Sequence, residues 1–190
     1  MTQSTSASRV NLKDFDPAQG LSRGRNKLIE IIWYFIKMFF FLSAFPFPNK
    51  LKCFLLKLFG AKIGIGVIIK PRVNIHFPWK LEIGNYTWIG EEVFILNFEK
   101  LKIGSNVCVS QRAFLCGGNH DFRDPVMPYR NGPITLEDGS WVGAGCFIGP
   151  SVTIGVDTVV AAGSIVSKSI NANSIYKTHD VVFYKNRWME

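Results

Sequence analysis

The sequence predicts an all-β solenoid, a triangular parallel β-helix of about five coils preceded by helices. Three observations predict it. Aliphatic residues recur six positions apart through most of residues 63–171. Glycine often follows the aliphatic position directly. A small or β-branched residue often stands two positions before it.

The elements follow in chain order. Residues 1–22 are rich in Ser, Thr, Asn and Asp and read as a flexible arm. The first twenty residues lack the basic start, apolar run and small-residue cleavage site of a secretory signal. The four cysteines, Cys53, Cys108, Cys116 and Cys146, form no C-x-x-C pair and no zinc-ligand spacing. Free thiols in a reducing cytoplasm are expected.

Residues 23–62 form a hydrophobic and basic helical segment. From Leu28 to Phe47 the only charges are Glu30 and Lys37, and Pro46 and Pro48 end the run. Its length is close to the ~20 residues of a membrane span. A second helix follows, with Asn49 as its cap and Gly60 as its terminal glycine. Leu51, Phe54, Leu55 and Leu58 share one face, while Lys50, Lys52 and Lys57 lie largely off it. Three readings stand open: packing on the end or side of the solenoid, peripheral membrane contact through residues 23–59, or a true span. The charge favours an anionic surface, since the first 62 residues hold ten Lys/Arg against three acids.

The period changes at Ile63. The series runs Ile63, Ile69, Ile75, then Ile83, Ile89, Ile95, then Ile103, Val109, Leu115. After a break it resumes at Leu136, Val142, Ile148, Ile154, Val160, Val166. Two positions earlier stand Val73, Thr87, Val93, Val107, Ala113, Ser140, Cys146, Val152, Thr158 and Ser164. Side chains alternate along a strand, so each such pair points the same way, into a narrow core. Glycine takes the corner, where a Cβ would crowd the turn. Three strands close one coil, and coils stack at about 4.8 Å. Coils are expected at 63–80, 83–100, 103–120, 136–153 and 154–171, with a tail over 172–190.

The break is residues 116–133, a loop thrown out from a regular scaffold, as loops that carry function often are. It holds His120, whose imidazole could take a proton from a hydroxyl near neutral pH. Asp121 or Asp124 could orient the ring. His76 and His179 are isolated and read as structural or surface residues.

Ile63-Gly64 through Ile170, with the loop after Leu115, resembles the hexapeptide-repeat acyltransferases. Ser110-Gln111-Arg112-Ala113-Phe114-Leu115-Cys116-Gly117-Gly118-Asn119-His120-Asp121 and Leu58-Phe59-Gly60-Ala61-Lys62-Ile63-Gly64 resemble the colanic acid biosynthesis acetyltransferase subgroup, a relative of maltose, galactoside and nodulation acetyltransferases. The resemblance implies a left-handed coil, against the right-handed preference of about 98% for ordinary parallel crossovers. It implies His120 as catalytic base; Asp121, next in the chain, remains the nearer candidate to orient it. It implies acetyl-CoA as co-substrate in a groove between subunits of a homotrimer, with no metal required. Its cofactor positions carry over to Trp141, Ala144, Ala162, Ser167 and Lys168. A Gly-Asn-Pro-Ala segment usual after the last coil is replaced by Tyr176-Lys177-Thr178-His179-Asp180-Val181-Val182. Lys185 or Arg187 is a candidate for the lost basic contact. For the acceptor, Glu92, Asn97 and Asn119 are candidates.

The expectation is an O-acetyltransferase acting on a sugar hydroxyl in surface polysaccharide or lipid-linked glycan assembly. It is placed in the cytoplasm or at the inner membrane face. An N-acyltransferase of an amino sugar and a non-catalytic trimeric scaffold are the alternatives. The net charge of +8 comes with no aromatic-basic motif, so nucleic acid is not an expected partner.

Overall fold

The computed structural model describes residues 9–178. Helix α1 (Lys27–Ile36) runs into a π-helical turn (Lys37–Phe41), and helix α2 spans Asn49–Leu58. Asn26 caps α1 by accepting from the Ile29 amide. The solenoid then begins. Its first coil is β1 (Lys62–Ile63), β2 (Ile68–Ile69) and β3 (Asn74–Ile75). The second is β4 (Leu81–Ile83), β5 (Trp88–Ile89) and β6 (Phe94–Leu96). The third is β7 (Leu101–Ile103), β8 (Cys108–Val109) and β9 (Phe114–Cys116). After the loop come β10 (Ile134–Leu136), β11 (Trp141–Val142) and β12 (Phe147–Ile148), then β13 (Thr153–Ile154), β14 (Val159–Val160) and β15 (Ile165–Val166). A last strand, β16, is Ile175–Tyr176.

These strands stack into three parallel sheets, one per side of the triangle: β1-β4-β7-β10-β13, β2-β5-β8-β11-β14-β16 and β3-β6-β9-β12-β15. The fold is the parallel β-helix that the repeat predicts, with the left hand that the family resemblance implies. The registers pair aliphatic with aliphatic, as in Ile63↔Ile83↔Ile103↔Leu136↔Ile154. Every small residue two positions before an aliphatic one is buried as well. The buried hydroxyls find partners: Thr87 Oγ1 donates to the Gly104 carbonyl at 2.7 Å, and Ser140 Oγ to that of Glu137 at 2.7 Å. The coil count is slightly larger than expected. Ile170 bridges Ile154 and β16 pairs with β14, so a sixth coil begins where a tail was expected.

Two corners of each triangle turn through left-handed residues. One column is Arg72, Glu92, Arg112, Gly145 and Gly163, and another is Gly66, Tyr86, Asn106, Gly139, Asp157 and Asn173. Asn, Asp and Gly suit this region, but Arg, Glu and Tyr enter it at a cost, which the stacked neighbours must hold.

The helices cap the first coil, as one of the three readings of this segment had it. Among the described residues no helix is long and apolar enough to cross a membrane. Trp33 is buried against Phe41 and Phe59. Its indole N–H is shared between the Ile75 and His76 carbonyls, at 3.1 Å each. Two expectations for α2 are corrected. Asn49 does not cap the helix; its side-chain oxygen accepts from the Ile69 amide at 3.0 Å. The buried face is Lys52, Leu55 and Leu56, while Phe54 and Leu58 face outward. The reason is the open sheet edge, whose peptide groups need partners. Lys52 Nζ donates to the Ile69 carbonyl at 2.5 Å, so the lysine turns inward. Gly60 ends the helix at φ +94°, as read.

The segment read as a flexible arm is tied down over the residues described. The Asn11 amide donates to the Pro125 carbonyl at 2.8 Å, and Asn131 Nδ2 to the Gly20 carbonyl at 3.2 Å. The arm therefore crosses the loop that holds His120.

Candidate active site

The loop leaves the solenoid after β9 and is closed by backbone pairs across its base. The Gly132 amide donates to Gly117 O, Arg130 to Asn119 O and Asp121 to Pro128 O, all within 2.8–2.9 Å. His120 and Tyr129 thus face each other as an antiparallel bridge. His120 is half-buried, and its ring lies 4.9 Å from Tyr129 and 5.6 Å from Phe15. Phe98 packs edge-on against Tyr129 at 5.6 Å.

The imidazole is oriented by the backbone. His120 Nδ1 stands 2.6 Å from the Met127 carbonyl oxygen. A carbonyl only accepts, so Nδ1 carries a proton, and in the neutral ring Nε2 is the nitrogen with the lone pair. Met127 sits at φ +48°, a strained setting that aims this carbonyl inward. The carboxylates do not share the task. Asp121 Oδ1 accepts from the Arg123 amide at 3.1 Å, and Asp124 Oδ1 from that of Val126 at 3.0 Å. Each holds the loop's own turns, as Asp residues commonly do. Asp121 as orienting partner is therefore corrected to the Met127 carbonyl.

The acceptor candidates separate. Asn119 stands next to His120 and is exposed, its Oδ1 accepting from the His120 amide at 2.8 Å. Asn97, by contrast, is buried. Its Oδ1 accepts from Phe77 N at 2.9 Å and its Nδ2 donates to Phe77 O at 2.6 Å, so both ends of the amide are committed. Glu92 lies at another corner, clamped between Arg112 Nε at 2.7 Å and Arg72 Nη1 at 2.9 Å. The hydrogen bonds from Arg112, then Arg72, hold its carboxyl below the usual range. This corner borders an open cleft of about 560 Å³ that runs on to Ala144 and Gly145.

Trp141 is half-exposed on β11, its indole N–H donating to Ser110 Oγ at 2.9 Å. Ala144 and Ala162 lie at the corner between the second and third sheets, linked by the Gly163 amide donating to Ala144 O at 2.8 Å. Their neighbours Gly145 and Gly163 have open space where a Cβ would stand. Ser167 and Lys168 are exposed after β15, beside a cavity of about 210 Å³ shared with Tyr176. Within one chain these positions occupy a different corner or later coils from His120. Lys185, Arg187 and His179 lie outside the described residues. Burial pushes the Cys116 thiol up, so the cysteine at the root of the loop is a poor nucleophile. Sequence reasoning missed the Met127 carbonyl, Tyr129 and Phe15. Only the loop itself signalled the first two, and nothing local signals a contact from Phe15 across the chain.

No family model matches the chain. It is 35% identical over 177 residues to the Escherichia coli protein named "Putative colanic acid biosynthesis acetyltransferase WcaF", covering 93% of this chain and 97% of that one. It is 28% identical over 143 residues to the galactoside O-acetyltransferase of the same organism, covering 73% of this chain and 70% of that one. Among solved structures, a hexapeptide-repeat acetyltransferase of Vibrio cholerae complexed with acetyl coenzyme A matches with a TM-score of 0.72 at 22% identity, over 80% of this chain and 83% of that one. A galactoside acetyltransferase in complex with coenzyme A matches with the same score at 24% identity, over 80% and 76%. With the repeat in register, the histidine loop in place and similarity along nearly the whole chain, the protein belongs to the hexapeptide-repeat acetyltransferases, in the colanic acid biosynthesis acetyltransferase group.

Proposed function

We propose that the protein transfers an acetyl group from acetyl-CoA to a sugar hydroxyl in surface polysaccharide or lipid-linked glycan assembly. The observation that carries this reading is the Met127 carbonyl on His120 Nδ1, which leaves Nε2 as a base. Nε2 removes the acceptor hydroxyl's proton as that oxygen attacks the thioester carbonyl, and the CoA thiolate leaves. Backbone amides stabilise the oxyanion. Cys116, held as a thiol, offers no competing acyl-enzyme route.

The reading includes a homotrimer. Two faces of the triangle carry outward apolar residues: Trp88 and Trp141 on one, and a Phe94–Phe114–Phe147 ladder with centroid spacings of 4.7 and 5.4 Å on the other. Packing these faces between subunits would bring one chain's His120 toward another chain's Ala144 and Ala162. CoA would lie between them, with Trp141, Ser167 and Lys168 along its length. Asn119 and Glu92 are the acceptor contacts that remain. Such an enzyme works in the cytoplasm, and the exposed apolar residues of the 23–59 segment favour peripheral attachment to the inner membrane face.

The test is thioester turnover with a panel of sugar nucleotides and lipid-linked sugars. His120→Ala is expected to lower kcat by about 100- to 10,000-fold. Undiminished transfer by the variant, or a product acylated on nitrogen, would overturn the reading.

A further inference from the structure

Helix α1 and its π-helical extension have three faces. Trp33 and Phe41 face the first coil. Leu28, Ile31, Ile32, Phe35, Met38 and Phe39 form an outward stripe, Phe35 and Phe39 being 66% and 64% exposed. Between them, Lys27, Glu30, Tyr34 and Lys37 line a cavity of about 280 Å³ bounded by His76 and Trp79.

Two groups in that cavity lack partners. Lys37 is only 9% exposed, yet among the described residues its ammonium meets no carboxylate and no hydrogen-bond acceptor; a Tyr34 ring at 5.8 Å is its contact. Glu30 Oε1 is buried without a donor, while Oε2 accepts from Arg23 at 2.6 Å. The Lys37 stem is buried while its ammonium opens onto the cavity, and the buried Glu30 Oε1 is an unmet acceptor, which is costly. The nearby cations do not offset each other. Arg23 pairs with Glu30, and Lys80 keeps its charge but is held by the Ser22 and Phe98 carbonyls, so Lys27 and Lys37 are the cations here whose donors are not engaged among the described residues. Burial, then Lys37, Arg23 and Lys80, pushes His76 down to about 4, so it adds no charge at neutral pH. A π-helical turn begins at Lys37, a local widening that often accompanies functional sites.

The two vacant valences ask for an anion and a hydroxyl on one ligand. The aromatic stripe beside them, rimmed by lysines, has the character of a helix lying in a lipid interface. A protein partner would have to supply acids at the rim and an apolar face together. We propose that this cavity binds the phosphate of an anionic, hydroxyl-bearing phospholipid headgroup, while the outer stripe of α1 lies in the bilayer surface. Lys37 meets the phosphate, Lys27 adds positive charge at the cavity's outer rim, and Glu30 Oε1 accepts from the headgroup hydroxyl. The inference rests on the peripheral-membrane part of the functional reading and is independent of the chemistry at His120.

The experiment is co-sedimentation of the full chain with phosphatidylcholine vesicles, with and without phosphatidylglycerol. The wild type and His120→Ala are expected to prefer phosphatidylglycerol equally. Lys27→Gln/Lys37→Met is expected to lose that preference by about tenfold or more, each lysine near the surface counting for about fivefold. Phe35→Ser/Phe39→Ser is expected to release the protein from both vesicles at unchanged oligomeric size. Thermal melting checks that each variant is folded. Equal binding to the two vesicles, or an unchanged preference in folded Lys37→Met, overturns the proposal. So does full competition by millimolar glycerol phosphate, which would make the site one for free phosphate esters. A change in oligomeric size without loss of vesicle binding would assign the stripe to a second chain and overturn it too. Loss of acetyl transfer in His120→Ala with vesicle binding intact separates the two readings.

Discussion

His120 takes its orientation from a main-chain atom: its Nδ1 lies 2.6 Å from the carbonyl oxygen of Met127. Neighbouring Asp121 instead accepts from the Arg123 amide. The proton on Nδ1 is thus held by a group that never titrates. Asp121→Asn is expected to change kcat by less than about threefold and leave the pH profile in place, against about a hundredfold for loss of a base. Steady-state rates from pH 5 to 9 check this. A hundredfold loss would return the orienting role to the carboxylate.

Asn97 bonds both polar groups of Phe77 from a buried position. Asn97→Ala would leave the Phe77 N–H and carbonyl without partners. A loss of about 2–4 kcal/mol is expected, with the KM for the acceptor unchanged in whatever fraction stays folded. Urea denaturation gives the first number and initial-rate kinetics the second.

His76 is pushed from 6.5 to about 4 by burial and by Lys37, Arg23 and Lys80. The unfolded chain therefore binds this proton first as pH falls. Stability is expected to be unaffected by His76 above about 6.5, to fall between 6.5 and 4, and to level off below. The loss is at most about 3 kcal/mol. His76→Phe should flatten that part of the stability curve relative to the wild type, as measured by denaturant unfolding at successive pH values.

The glycines of the corners differ in kind. A Cβ on Gly84 would stand 2.5 Å from the Gly104 carbonyl carbon and 2.6 Å from the Ser105 nitrogen, both main-chain atoms. Gly84→Ala is expected to cost about 3 kcal/mol or more, because two coils would have to part. At Gly145 a Cβ would meet open space, and only its φ of +66° resists. Gly145→Ala is expected to cost about 1 kcal/mol. Melting temperatures of the two variants should differ accordingly.

The solenoid was legible because its core is too narrow for error. Ile63, Ile83, Ile103, Leu136 and Ile154 had to fall in one column once the coils closed, and a six-residue period has few other solutions. His120 was legible because regularity made its loop visible. What escaped were interactions carried by atoms or distances that spacing does not encode. The Met127 carbonyl has no residue signature, since any residue in that backbone pose would supply it. Lys52 reads as a surface lysine until the unpaired Ile69 carbonyl draws it inward. Asn97 reads as a polar residue near a site until Phe77 claims both its ends. Phe15 reaches His120 from the far end of the chain. A sixth coil was missed because Ile170 and Tyr176 follow the earlier period only loosely.

Asn49, Lys52 and Trp33 bind the outermost peptide groups of the first coil. A stack of parallel rungs in identical register is the geometry of a growing fibre, and each bare end is a seed for the next molecule. By occupying peptide groups of that first rung with side chains that cannot themselves be extended, the N-terminal helices turn a templating edge into a closed end.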